Sequence, residues 1–236
     1  MSSDGYSLLH SPLFALVLTL AAFQLSQSLY NRAGKLLFLH PMLVSVALVA
    51  LVISLLDIPY RQYFTANTLL YYMLGPATVA LALPLYLQFR HIRSLWWRLA
   101  IVIVLGASVA AGFAVAIAWF LGGSLETLIS LAPKSVTTPI AMGLADELGG
   151  VVQLAAGAVI VTGIAGIVTA PLVFRLFGID DDRIKGVIYG LSAHGVGTAR
   201  AFELSQTAGA FSSLALGLTG LFTALVLPLV AVWFLA

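Results

Sequence analysis

Apolar runs long enough to cross a lipid bilayer follow one another from end to end of this chain. They cover residues 12–29, 41–58, 69–87, 96–121, 124–150, 151–177, 184–206 and 208–235. A bilayer core about 30 Å thick needs roughly 18 to 20 apolar helical residues to span it. With 61% apolar and 8% charged residues, the chain also has too little polar surface to coat a water-soluble core. The expected fold is therefore all-α: a polytopic membrane protein of about eight hydrophobic segments, forming one transmembrane domain over residues 1–236. The stretch MSSDGYSLLHSP has no basic run ahead of its apolar segment, so no cleaved signal peptide is expected. Absence of cysteine excludes disulfides, thiolate metal sites and thiol catalysis.

The segments are of two kinds. Runs 41–58 and 96–121 are apolar throughout and read as plain spanning helices, whereas 69–87, 124–150 and 184–206 carry prolines or glycines that break a helix. Arg32 and Lys35, then Arg90, Arg93 and Arg98, then Arg175, Arg183 and Lys185 punctuate the runs. Short cytoplasmic loops collect such residues, so all three clusters are expected on the cytoplasmic face, with the N-terminus outside. That leaves one net crossing between residues 122 and 177, which 151–177 supplies. Segment 124–150 would then enter from outside and turn back, and 184–206 would do the same from the cytoplasm. A shift of sixty residues superimposes Val136 on Val196, Thr138 on Thr198, Ala141 on Ala201, Gly149 on Gly209 and Gly157 on Gly217. Either these are coincidences of an apolar alphabet, or units 124–177 and 184–236 are one broken-helix unit used twice, as an inverted repeat. Repeats with discontinuous helices are characteristic of secondary transporters.

Backbone broken at membrane depth survives only where protein buries it or where it lines a polar cavity. In "LAPKSVTTPIAMG", residues 131–143, Thr138 reads as the N-cap and Pro139 as the first residue of a half-helix 139–148. Its N-terminus would carry the partial positive charge of the helix dipole, which favours an anion. Lys134 adds a full positive charge, and Ser135, Thr137 and Thr138 add hydroxyls that bond either a carboxylate or their own backbone. In "LSAHGVGTARAFELS", Gly195 and Gly197 allow close backbone approach and Thr198 occupies the place of Thr138. Arg200 has a planar fork suited to a carboxylate, or it pairs with Glu203 three residues on. His194 is a candidate for proton coupling or a satisfied buried histidine. Asp146 and Glu147 are expected to face water. No spacing here suggests a metal or cofactor site, and basic residues confined between apolar runs do not suggest nucleic acid.

The stretches "LLYYMLGPATVALALPLY" (69–86), "PKSVTTPIA" (133–141), "AHGVGTARAFE" (193–203) and "GAFSSLALGLTG" (209–220) resemble the LrgB/CidB family, and the resemblance covers essentially the whole chain. Family members commonly have Asn-Pro where this chain has His40-Pro41, which puts any role of that asparagine in question here. The family was first described as holin- and antiholin-related, modulating murein hydrolase activity and lysis, usually beside a small LrgA/CidA-type membrane subunit. Related proteins include the plastidal glycolate/glycerate translocator, and bacterial pairs are linked to pyruvate uptake. The resemblance implies a carrier, not an enzyme, in the bacterial cytoplasmic membrane. Its substrates would be small monocarboxylates, with possible coupling to protons and elevator-like alternating access. Lys134, Ser135, Thr137, Thr138, His194, Gly195, Gly197, Thr198 and Arg200 would bind the carboxylate. A homodimer is expected, and an LrgA-like partner would come from another polypeptide. The alternative is a holin- or antiholin-like protein that carries nothing.

Overall fold

The computed structural model describes residues 11–36, 39–80 and 82–235, so residues 1–10 of the N-terminal stretch read for a leader lie outside them. Every regular element among the described residues is helical, and the chain divides into units Met1–Ala80 and Leu81–Ala236.

The first unit holds α1 (Pro12–Arg32), α2 (Pro41–Leu55), α3 (Tyr60–Ala66) and α4 (Thr68–Ala80). Proline opens α1 and α2 behind a side-chain cap: Phe14 N–H donates to Ser11 Oγ at 3.2 Å, and Met42 N–H to His40 Nδ1 at 3.4 Å. Proline costs nothing in a first turn, where its missing N–H would have no helical partner. The plain span expected over 41–58 is not what forms. α2 stops at Leu55 after 15 residues, about 22 Å at 1.5 Å per residue, and the chain bends by 118° into α3. Asp57 takes a left-handed φ of 51°, and Pro59 cannot continue the ladder, so these two residues end the helix inside an apolar run. Thr19 of α1 donates to Ala15 O at 2.7 Å and lies 2.5 Å from Tyr63 Oη of α3. α4 runs on through Pro76, so that proline does not break it.

The second unit holds α5 (Ala82–Leu87), α6 (Phe89–Phe120), α7 (Leu125–Leu131), α8 (Thr138–Leu148), α9 (Val152–Leu176), α10 (Asp182–Leu204) and α11 (Gln206–Leu235). Among the described residues four helices are long and apolar enough to cross a membrane: α1, α6 from Ile92, α9, and α11 to Val232; the bent α2–α3 pair would make five. Exposed Leu105, Val109, Phe113, Val161 and Leu221 give the second unit an apolar exterior suited to lipid. Glycines set the packing inside. A Cβ at Gly106 would meet Leu191, one at Gly186 would meet the Ala208 carbonyl at 2.3 Å, and one at Gly190 the Ser212 carbonyl at 2.2 Å. Residue numbers rise together across these contacts, so α6, the first half of α10 and the start of α11 run parallel. α9 runs the other way, with Phe174 against Tyr189 and Gly166 against Ala193. Arg98 and Arg183 consequently line one cleft, and two of the basic clusters gather at one end of this unit.

Of the three expected breaks, the two in this unit, within 124–150 and 184–206, are present. α7 and α8 are separated by residues 132–137, and Val151 N–H donates to Ser130 Oγ at 2.7 Å, so the excursion between them begins and ends at one place. In α10, His194 has φ 41° and ψ −129°. Residues eight apart in a continuous helix are separated by about 12 Å along the axis, yet a Cβ at Gly197 would lie 2.3 Å from the Tyr189 carbonyl. The chain doubles back at His194.

Candidate functional site

Val159 of α9 is where the two breaks converge. From the first, Val136 is buried with Ala141, Ala145, Ala155 and Val159. From the second, His194 Nε2 lies 2.9 Å from the Val159 carbonyl. By helix rise this point is about 11 Å from one end of α9 and roughly 18 Å along α10 from Asp182, well inside a bilayer-length structure.

The first break has an open chemistry. α8 begins at Thr138 with Thr137 as N-cap, one residue earlier than expected, because Thr137 takes the extended backbone (φ −70°, ψ 151°) that a cap requires. The Thr137 side chain makes no cap hydrogen bond, so the N-cap leaves the dipole's positive end without its usual side-chain acceptor. Lys134 is half-buried and its Nζ reaches only Ser135 Oγ, at 3.4 Å; among the described residues no carboxylate lies within ion-pair distance of it. Ser135 is buried, while Thr137 and Thr138 are half-buried.

The second break is sealed. The His194 side chain is 4% exposed and its ring lies on Gly163, where a Cβ would be 2.8 Å from Cε1. Thr198 Oγ1 donates to the His194 carbonyl at 2.9 Å and lies 2.9 Å from Ser212 Oγ of α11. Gly197 has no room for a side chain, whereas Gly195 faces open space. Arg200 forms an ion pair with Glu203. The structure thus brings Val136, the neighbour of Ser135, and His194 to Val159 of α9, with Lys134 close enough to act electrostatically on His194. Thr198 joins α10 to α11, and Arg200 is held along its own helix. Asp146 and Glu147 are exposed. No group of three or more His, Asp or Glu capable of holding a metal occurs among the described residues.

Sequence reading missed one set of polar side chains. Ser212, Thr219 and Thr223 form a buried stripe along α11 at i, i+7 and i+11. The signal was the hydroxyls of "SSLALGLTG", masked by the high hydropathy around them.

Bilayer-length helices with polar breaks gathered at depth define a multi-pass, all-helical membrane protein. The chain belongs to the LrgB-like family, whose sequence model matches residues 19–233. It is 36% identical over 214 residues to the uncharacterized protein YwbG of Bacillus subtilis (strain 168), covering 91% of this chain and 95% of that one. An uncharacterized protein of Haemophilus influenzae is 32% identical over 213 residues, covering 90% and 92%. The antiholin-like protein LrgB of Bacillus cereus (strain B4264) is 25% identical over 219 residues, covering 93% and 95%. No solved structure matches the chain. The family is one of membrane proteins with bacterial members and is not a known enzyme family.

Proposed function

We propose that this protein is a secondary carrier for small monocarboxylates of the pyruvate, lactate, glycolate or glycerate type, working by alternating access in the bacterial cytoplasmic membrane. The observation that carries the reading is Lys134, a half-buried ammonium with no carboxylate near it, beside the uncapped N-terminus of α8. A cation at depth is costly and usually serves a partner or a pathway; a carboxylate supplies what this one lacks. Thr138 and Ser135 add hydroxyls, and His194 is the group for proton coupling. Arg200 contributes by breaking its bond to Glu203 when substrate enters.

The inverted repeat of 124–177 and 184–236, within about eight segments, is part of the same proposal. It is supported by similar contacts about sixty residues apart: Ser130 meets Val151 at the base of the first break, and Gly190 meets Ser212 beside the second, at offsets of 60 and 61 residues. A homodimer and an LrgA/CidA-like small subunit are the proposed partners. A second reading, an antiholin-like regulator of murein hydrolases, is favoured by the printed names of the LrgB relatives. A regulator has no need of a half-buried ammonium at a helix terminus.

Uptake of labelled pyruvate, lactate, glycolate and glycerate into proteoliposomes tests the carrier, with Thr138→Ala and Arg200→Gln alongside. Saturable uptake by the wild type that both variants lose is the expected result. No uptake of any of the four, or equal uptake by the variants, overturns it.

A further inference from the structure

Thr219 Oγ1 is buried, its residue 1% exposed, and has no hydrogen-bond partner among the described residues. Buried hydroxyls are nearly always bonded, and a helical threonine has the carbonyl four residues back within reach. Thr19, Thr169 and Thr198 all take that bond, to Ala15, Ala165 and His194. Thr219 leaves it unused.

Its position says what the hydroxyl serves. The sixty-residue offset pairs Thr219 with Val159 and His194 with Lys134. His194 of the second unit lies against Val159 of the first, 2.9 Å from its carbonyl. By the same offset, exchanging the two units would bring position 134 to the backbone of Thr219, while the Lys134 ammonium itself reaches Ser135 Oγ. An independent contact agrees: a Cβ at Gly220, the next residue, would lie 3.0 Å from Ile140 Cδ1, in the first turn of α8. Valine and threonine have the same shape, so the two positions pack alike and differ in one hydroxyl. Thr219 thus sits one residue from the point where α11 packs on the first turn of α8, the helix that follows Lys134, and its hydroxyl has no partner among the described residues.

We propose that Thr219 is a specificity-determining residue that reads the oxygen on carbon 2 of the substrate, while Lys134 and the α8 N-terminus hold the carboxylate. A 2-hydroxy acid would accept from or donate to Oγ1, and a 2-oxo acid would accept from it. An acid without a 2-oxygen would leave Oγ1 unbonded. This rests on the carboxylate-carrier reading and on the two units being a repeat.

Thr219→Val removes the hydroxyl and keeps the shape. Glycolate and acetate, which differ only in the 2-hydroxyl, are compared by ligand-dependent melting and by competition for uptake, in wild type, Thr219→Val and Lys134→Met. The wild type should prefer glycolate. Thr219→Val should melt no lower than wild type without ligand, because the lost group had no bond to lose. It should lose roughly three- to tenfold in glycolate affinity, the worth of one hydrogen bond, and keep its acetate affinity. Unchanged glycolate affinity, an equal loss for both acids, or a wild type indifferent to the hydroxyl overturns the assignment. If Lys134→Met loses both acids while Thr219→Val keeps its discrimination, the Thr219 inference alone falls. If the wild type neither binds nor carries any of the proteoliposome panel, the carrier reading falls and takes this one with it.

Discussion

The two breaks solve one problem in opposite ways. At residues 132–137, after Pro133, the chain leaves the helix, and the new helix starts with no cap bond from Thr137 and a lysine nearby. At His194 a single residue takes the bend, and its carbonyl, ring and neighbours are all bonded: to Thr198, to the Val159 carbonyl, and across Thr198 to Ser212. One break is left short of hydrogen-bond and charge partners, and the other is self-sufficient. The difference teaches where a ligand gains most, since an anion at the first break satisfies groups that nothing else does, whereas at the second it must displace bonds already made.

The sharpest way to break that comparison is Lys134→Met. If the first break holds the anion, affinity for the preferred carboxylate falls by roughly 10- to 150-fold, the worth of a bond to a charged group, while unliganded melting is unchanged or higher. Ligand-dependent melting measures both; a variant that keeps full affinity moves the anion site elsewhere. Next is the packing behind the second break. Gly190→Ala puts a methyl 2.2 Å from the Ser212 carbonyl, a backbone atom that cannot swing aside, and should cost about 1–3 kcal/mol of stability. Gly217→Ala, with nothing within 4 Å, should cost nothing, so equal melting of the two variants would show that the seam is looser than described.

His194 gives a finer test. Its φ of 41° with ψ −129° belongs to glycine's region, and a strained residue of this kind costs roughly 1–3 kcal/mol. His194→Gly relieves that strain while losing about 1 kcal/mol for the bond to Val159, whereas His194→Ala loses the bond and keeps the strain. The glycine variant should therefore melt above the alanine variant. The reverse order would mean the bend is held by something other than the histidine's bonds.

Smallest is the effect at the entrance to α10. Asp181 accepts from Arg183 N–H at 2.8 Å and from its guanidinium, which holds the carboxyl down at about 2 and the guanidinium above its usual value. A depressed carboxyl stabilises the fold above its unfolded value near 4 and loses that contribution as pH falls toward 2. Melting between pH 8 and pH 5 should not respond to this group. Asp181→Ala should cost no more than about 1 kcal/mol, because the pair is exposed and screened.

The breaks were legible because proline pairs and polar clusters have no other business in an apolar run. Their details were not. The sequence "AHGVG" offers glycine for unusual backbone, yet the histidine ahead of it takes the positive φ, a choice made by Val159, Gly163 and Thr198 from elsewhere in the chain. The end of α2 was hidden because Asp57 and Pro59 close an otherwise apolar stretch whose length suggested a full crossing. Thr219 was invisible for a different reason: threonine in an apolar helix ordinarily satisfies itself, and only the absence of that bond marks it out.

The glycine seam between α10 and α11 has a mechanical consequence. With the Gly186 and Gly190 positions against the Ala208 and Ser212 carbonyls, residues 182–193 cannot slide along α11 without backbone striking backbone. Gly195 faces open space, but the arm beyond His194 is held at Gly197 against the Tyr189 carbonyl, at Thr198 on Ser212 Oγ and at Phe202 on Gly209. The first half of α10 and the start of α11 are then a fixed beam, and the arm after His194 is clamped back onto it.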